Sequence, residues 1–239
     1  MRGHDVGVRG DSNQTLTAFQ VLSLTDLAIK ARSYVRARWP VDAGAWWVPE
    51  SRRHWCGRPK CSLTAMHPVD LSGDRDGDCL PTGPWEPIRD AHEVGRHWLH
   101  QPYSPLLLTG TRAHAVEGDT AALGPVVRRL SEAGLRVPVL ALRRGRLCLL
   151  TRPLGALGGD LSSHGLVHHG QGSWVPLPPA QMGGVVLGWV RTPAETAWTL
   201  PSTAEVGAAL QALTGQPGPG AAAQNNGHHP DRTAGDRLV

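Results

Sequence analysis

The 239-residue sequence predicts a single α+β domain. Helical periodicity is confined to a few short, capped segments. Short apolar runs with strand character are interleaved with helices in the second half. No internal repeat of the kind that builds solenoids is visible. A helix, an irregular insert, a second helix and then alternating strands and helices fit neither a bundle nor a β-sandwich.

The elements follow in chain order. Residues 1–14 are polar and contain glycines, and residues 1–23 are expected to be a flexible N-terminus. Thr25 or Asp26 can cap a helix running to about Arg38, with Leu27, Ala31, Tyr34 and Val35 on one face. Pro40 stops it and biases Trp39 towards an extended backbone. Residues 42–87 hold cysteines, prolines and glycines with little periodicity, which predicts an irregular insert in need of a staple. Asp90 starts a short helix, with Glu93 placed for a capping box. "SPLLLTG" (104–110) reads as a buried strand and "AHAVEG" (113–118) as a strand paired with it. Asp119 to Ala133 reads as a helix ended by Gly134. "LRVPVLAL" and "RLCLLTR" flank "RRG" as a hairpin, with Pro138 implying an edge position or a bulge. "GSWVPLPP" and "GVVLGWVR" are further strands. Ser202 and Glu205 form a capping box for a closing helix. Residues 214–239 have the composition of a disordered tail, which makes His228 and His229 poor ligand candidates. The domain is therefore expected over 24–213.

Composition excludes some classes. There are 24 Lys and Arg against 20 Asp and Glu, and the basic residues are almost all arginine: only Lys30 and Lys60 are lysines. Abundant Arg, Ala, Gly and Pro match a high-GC coding bias, so the basic balance alone says little about nucleic acid. The nine tryptophans are read as core anchors rather than base-stacking platforms. No apolar segment is long enough to span a bilayer, and the N-terminus lacks a signal-peptide core; a cytoplasmic protein with no membrane partner is expected. Hydrolase and NTPase signatures, G-x-S-x-G and G-x-x-x-x-G-K-[ST], are missing from the sequence.

One stretch carries metal chemistry. "HWCGRPKCSLTAMHP" spaces His54-x-Cys56-x4-Cys61-x5-His67. Structural zinc takes four tetrahedral nitrogen or sulfur ligands, and this set supplies four. In a reducing cytosol, close cysteines beside histidines favour a metal over a disulfide. Gly57 and Pro59 suit a tight reversal between the cysteines. The bland alternative is a loop with thiols and surface histidines. Cys79 is a rival ligand that could replace His54 or His67, and Cys148 reads as a core cysteine.

The order of these segments resembles the bifunctional DNA primase/polymerase N-terminal (prim-pol) family, in the divergent group common in high-GC bacteria. The resemblance rests on "ARSYVRARWPV", then the cysteine knuckle with His54 where the family's first cysteine stands. A short helix ending at Trp98 and Pro102, the "LLLTG" strand, "GSWVPLPP" and "GWVRTPAETAWTLP" follow. It spans residues 24 to 213 and implies the archaeo-eukaryotic primase fold: an RRM-like mixed sheet core with flanking helices and a small zinc-knuckle insert. It also implies an ancestral activity, template-directed nucleotidyl transfer with Mg²⁺ or Mn²⁺, with DNA and nucleotides as partners and a replication protein as a further one. That chemistry needs carboxylates holding two cations about 3.5–4 Å apart.

Each family position can be sought here. The acidic pair falls on Glu117 and Asp119, two apart in an extended segment and so on one face. Asp119 equally suits a helix N-cap. The family histidine is missing from "RRGRLCLLTRP", where Leu147 stands in its place; Arg143, Arg144 and Arg146 could instead bind phosphate. The third acid is missing near Gly165: Asp160 is out of register, and His164, His168 and His169 cluster there. The expectation is a prim-pol relative weakened or inactive as a polymerase that retains nucleotide or DNA binding. The alternative is a zinc-stabilised protein-interaction or regulatory module on the same scaffold.

Overall fold

The computed structural model describes residues 23–71, 86–158 and 161–214, so Cys79, Asp160 and both predicted termini lie outside the described residues, Ser23 and Thr214 excepted. The architecture is α+β, with four helices and several antiparallel sheets.

Helix α1 (Leu24–Arg36) is capped by Ser23, one turn earlier than expected. The Ser23 hydroxyl accepts from the Asp26 amide at 3.1 Å, which occupies an amide that the first turn leaves without a helical partner. Its buried face is Leu27, Ala28, Ala31, Tyr34 and Val35. Arg38 takes a left-handed φ of 62°, and the chain then turns Trp39 back onto Tyr34, rings stacked at 5.6 Å. The stretch expected to be irregular from residue 42 opens instead with a fully buried strand, β1 (Val41–Gly44), followed by a hairpin of β2 (Trp46–Val48) and β3 (Arg53–Trp55). Four residues, one of them Asp42, are too few to show periodicity, which is why the sequence hides β1.

Helix α2 (Ala91–Trp98) is capped by Asp90, whose carboxylate accepts from the His92 amide at 2.8 Å. Glu93 does not close a box; it lies 3.7 Å from His97 one turn on. Strand β4 (Ser104–Thr109) is buried throughout. It does not pair with β5 (His114–Asp119), as expected from their adjacency. The chain turns at Gly110–Ala113 and passes from one sheet to another. Then come α3 (Thr120–Glu132), β6 (Val139–Ala141), β7 (Arg146–Thr151), β8 (Val167–His169), β9 (Ser173–Pro176), the β10 (Gln181–Met182) and β11 (Val185–Val186) hairpin, β12 (Gly188–Arg191) and α4 (Thr203–Thr214).

Sheet order is β1-β4-β9 in one sheet and β12-β6-β7-β5-β8 in the other. Every strand pair among the described residues is antiparallel, so the mixed sheet implied by the resemblance is corrected here. Pro138 immediately precedes β6, which is an inner strand; the irregularity it implied falls between Trp189 and Arg191 of the neighbouring β12. The five-stranded sheet is covered on both faces. Ala115, Leu140, Cys148 and Leu150 face a core shared with α1, α2 and the other sheet. Val116, Val139 and Leu149 face α3 and α4. The expected box at α4 is present: Glu205 accepts from the Ser202 amide at 2.6 Å, and the Ser202 hydroxyl accepts from the Glu205 amide at 3.1 Å. No helix among the described residues is long and apolar enough to cross a membrane.

Candidate functional site

Side chains alternate along a strand, so the register of β5 decides what meets there. Ala115, Glu117 and Asp119 share the face towards the inter-sheet core. Opposite them on β7 stand Leu150, Cys148 and Arg146. On β8, His169 lies opposite Ala115. The apolar core occupies one end of this face, and Glu117, Arg146 and His169 form its polar end.

Both oxygens of Glu117 are engaged. Arg146 donates from Nε to Oε1 at 2.6 Å, and His169 donates from Nε2 to Oε2 at 3.0 Å. The bond from His169 first, and then the Arg146 guanidinium, hold the Glu117 carboxyl below its ordinary range despite partial burial. Ser173 Oγ lies 3.2 Å from His169 Nδ1 and extends the chain to a fourth residue. Asp119 is exposed, at the N-cap of α3, but its side chain makes no cap bond. Cys148 behind Glu117 is fully buried, and burial pushes its thiol far up.

The expected acidic pair thus shares a face, but it does not present two open carboxylates. A two-cation centre needs ligand oxygens facing the ions. Here a permanent guanidinium cation and an imidazole occupy Glu117, so the residues present do not fit a pair of Mg²⁺ or Mn²⁺ ions. Of the arginines expected to bind phosphate, Arg146 is committed to Glu117. Arg143 and Arg144 sit in the β6–β7 turn, where Arg144 takes a left-handed φ of 61°.

His169 is the residue that sequence reasoning undervalued. Three histidines in six residues read as a solvated cluster. The register separates them: His164 is exposed in a turn, His169 faces Glu117, and His168 points to the opposite face. There His168 Nε2 lies 3.1 Å from His114 Nδ1, and burial lowers the pKa of both rings. Alternation alone predicts the split of 168 from 169, but only a known partner strand says which one meets an acid.

The metal-ligand stretch is assembled by the hairpin and the chain after it. Cys56, Cys61 and His67 bring one ligand atom each within 4.8 Å of one another, and this group could hold a metal ion. His67 Nδ1 donates to the Ala65 carbonyl at 2.8 Å, which fixes the tautomer and leaves Nε2 towards Cys61 Sγ at 3.6 Å. Burial lowers the His67 pKa, which favours the neutral ring, the form that ligates. His54 does not join the group, which corrects the four-ligand set. It lies on β3 with its ring against Trp47, and Nε2 donates to the Gln181 carbonyl at 3.0 Å. A closed zinc site takes four ligands, so the three found among the described residues leave one position to another donor.

A cleft of about 510 Å³ opens beside Ser173. Its walls are the end of α1, the stretch before α2, the β4–β5 turn and the start of β9. Trp39 and Leu108 form part of its floor.

No known protein family matches the chain, and no curated protein does. Among solved structures, the chain is similar to the polymerase domain of Mycobacterium tuberculosis Ligase D in complex with DNA, at 13% identity and a TM-score of 0.38. The match covers 80% of this chain and 89% of that one. A likeness this slight carries no argument about chemistry, which rests on the residues themselves.

Proposed function

We propose that this chain is a prim-pol-like module that binds nucleotide or DNA and has lost nucleotidyl transfer, wholly or nearly so. The observation that carries the second half is the engagement of Glu117. The one carboxylate placed to lead a cation pair already neutralises Arg146 and accepts from His169. Asp119 alone is a single exposed carboxylate, and removing one ligand from a two-metal centre raises the barrier by several kcal/mol. The order of motifs in the sequence supports the first half. Zinc at Cys56, Cys61 and His67 serves structure: it ties the hairpin and the following loop to the edge of the β1 sheet.

The test is template-directed nucleotide incorporation by zinc-loaded protein with Mg²⁺ or Mn²⁺, beside a Glu117→Ala/Asp119→Ala control. DNA binding is followed by fluorescence anisotropy on the same samples. No incorporation with retained binding is the expected result. Incorporation that the control abolishes overturns the loss of catalysis. No binding to DNA or nucleotide overturns the module reading.

A second reading has one observation in its favour. Val185, Val186 and Val190 on the β11–β12 segment are 52%, 39% and 60% exposed. A zinc-stabilised protein-interaction module would use such a surface. In that case the chain binds neither DNA nor nucleotide.

A further inference from the structure

We infer that the cleft beside Ser173 is a nucleotide site, in which Arg38, Arg89 and Arg112 take the phosphates of a nucleoside triphosphate. The inference rests on the nucleotide-binding reading above and moves its ligand off the Glu117 face. Three separate segments each bring one arginine to the same cleft: the end of α1, the stretch before α2, and the β4–β5 turn. Among the described residues no aspartate or glutamate lines it. Among the described residues none of the three arginines makes an ion pair, whereas Arg58 and Arg146 each have an acidic partner. Converging cations without counter-charge repel one another, so a bound polyanion relieves that repulsion as well as forming charge-assisted hydrogen bonds.

The floor is of a different kind. Val35, Trp39, Ile88 and Leu108 are buried apolar residues that line the same space. An apolar floor beneath a basic rim matches a ligand with a flat, weakly polar ring and a charged tail. The volume of about 510 Å³ lies within the range of small-ligand pockets, roughly 300–1,000 Å³. Gln171, Thr111 and Ser173 add polar groups for orientation. Ser173 also joins the wall to His169 and Glu117, so an occupant would sit one residue from the decayed carboxylate site.

The experiment titrates dATP, inorganic triphosphate and deoxyadenosine into the full chain by calorimetry, without added divalent cation. A fluorescein-labelled single-stranded oligonucleotide is titrated by anisotropy in parallel. Variants are Arg89→Glu/Arg112→Glu in the cleft and Arg143→Glu/Arg144→Glu on the β6–β7 turn. Arg89, Arg112 and Arg144 are exposed and Arg143 is half-buried; none makes an ion pair among the described residues, and unchanged melting verifies the fold of each variant. The expected result is binding of dATP and triphosphate but not deoxyadenosine, weakened about 10-fold or more by the cleft variant and little by the turn variant. Nucleotide binding unchanged in the cleft variant, or lost only in the turn variant, overturns the inference. DNA binding without any nucleotide binding also overturns it and leaves the module reading standing. Binding of neither ligand overturns both.

Discussion

Arg146 and Glu117 are joined across β5 and β7 by a single short bond, Nε to Oε1 at 2.6 Å, with both side chains half-buried. They are a diagonal pair on one face, since the residue directly opposite Arg146 is Asp119. The guanidinium therefore bypasses its nearest acid for the one that also accepts from His169. Arg146→Met leaves Glu117 with one partner and is expected to lower stability by about 1–2 kcal/mol at neutral pH. Adding Glu117→Gln should restore part of that, because the unpaired charge is gone. Urea unfolding of the two variants beside the parent measures both. The pH dependence has a definite sign. The folded Glu117 carboxyl lies below its ordinary value of 4.5, so its contribution is fully present above that value. It is lost as pH falls through the lower folded value. Glu117→Gln should flatten the acid limb, and an unchanged limb would show that the pair contributes nothing.

Zinc content should divide the four candidate ligands three to one. Cys56→Ala, Cys61→Ala or His67→Ala is expected to abolish stoichiometric zinc, measured by plasma mass spectrometry after gel filtration. His54→Ala should keep it, since His54 is bonded to Gln181 and lies outside the group. The loaded protein should melt higher than the stripped one, because metal that binds the fold alone stabilises it. If His54→Ala loses zinc as fully as Cys61→Ala, the three-ligand reading is wrong.

The sequence was legible where chemistry is local and silent where partners are distant. The Ser202–Glu205 box was readable because both residues lie within one turn. Cys56, Cys61 and His67 were readable because a tight reversal brings them together. Spacing alone puts His54 beside Cys56, but it does not show which way a residue of a three-residue strand faces, and His54 bonds Gln181 instead. The β4–β5 pairing failed for a related reason: a run buried on every residue gives no alternation to say which sheet it joins. The Glu117–His169 contact spans 52 positions and depends on β8 lying against β5, a fact of topology alone.

Asp42 should make the protein less stable as pH rises, opposite in sign to Glu117. It sits buried on β1, and burial pushes its carboxyl up to about 7, with the Ala43 amide at 2.7 Å only partly offsetting that. The folded state therefore keeps this proton where the unfolded chain, near 3.8, releases it. Stability from this group falls between those two values and is level above about 7. Asp42→Asn retains an oxygen to accept from Ala43 and removes the charge. It should match the parent near pH 4 and exceed it at pH 8 by at least about 1 kcal/mol, with on the order of 4 kcal/mol as a ceiling. Denaturant melts of both proteins at the two pH values test this; equal stability at pH 8 sinks it.

Two helical glycines should answer the same substitution differently. Gly124 lies in α3, and a Cβ there meets nothing within 4 Å apart from its chain neighbours. Alanine gains a helix preference of about 0.5–1 kcal/mol, but its Cβ precedes Pro125, whose ring disfavours the helical backbone for a residue with a Cβ, so Gly124→Ala should leave stability nearly unchanged. Gly207 lies in α4 where the helix crosses the chain at Leu157. A Cβ there would sit 2.1 Å from the Leu157 carbonyl oxygen and 2.7 Å from its carbon. Those are backbone atoms, which cannot swing aside as a side chain can. Either α4 or the 156–158 segment must move, and both belong to the cluster formed by Val206, Leu210 and Leu157. Overpacking of a formed core costs about 1–3 kcal/mol, more than the propensity gain of up to about 1 kcal/mol, so Gly207→Ala should destabilise. Thermal melts of the two variants decide the matter: a stabilised Gly207→Ala would mean that α4 does not pack this closely on Leu157 in solution.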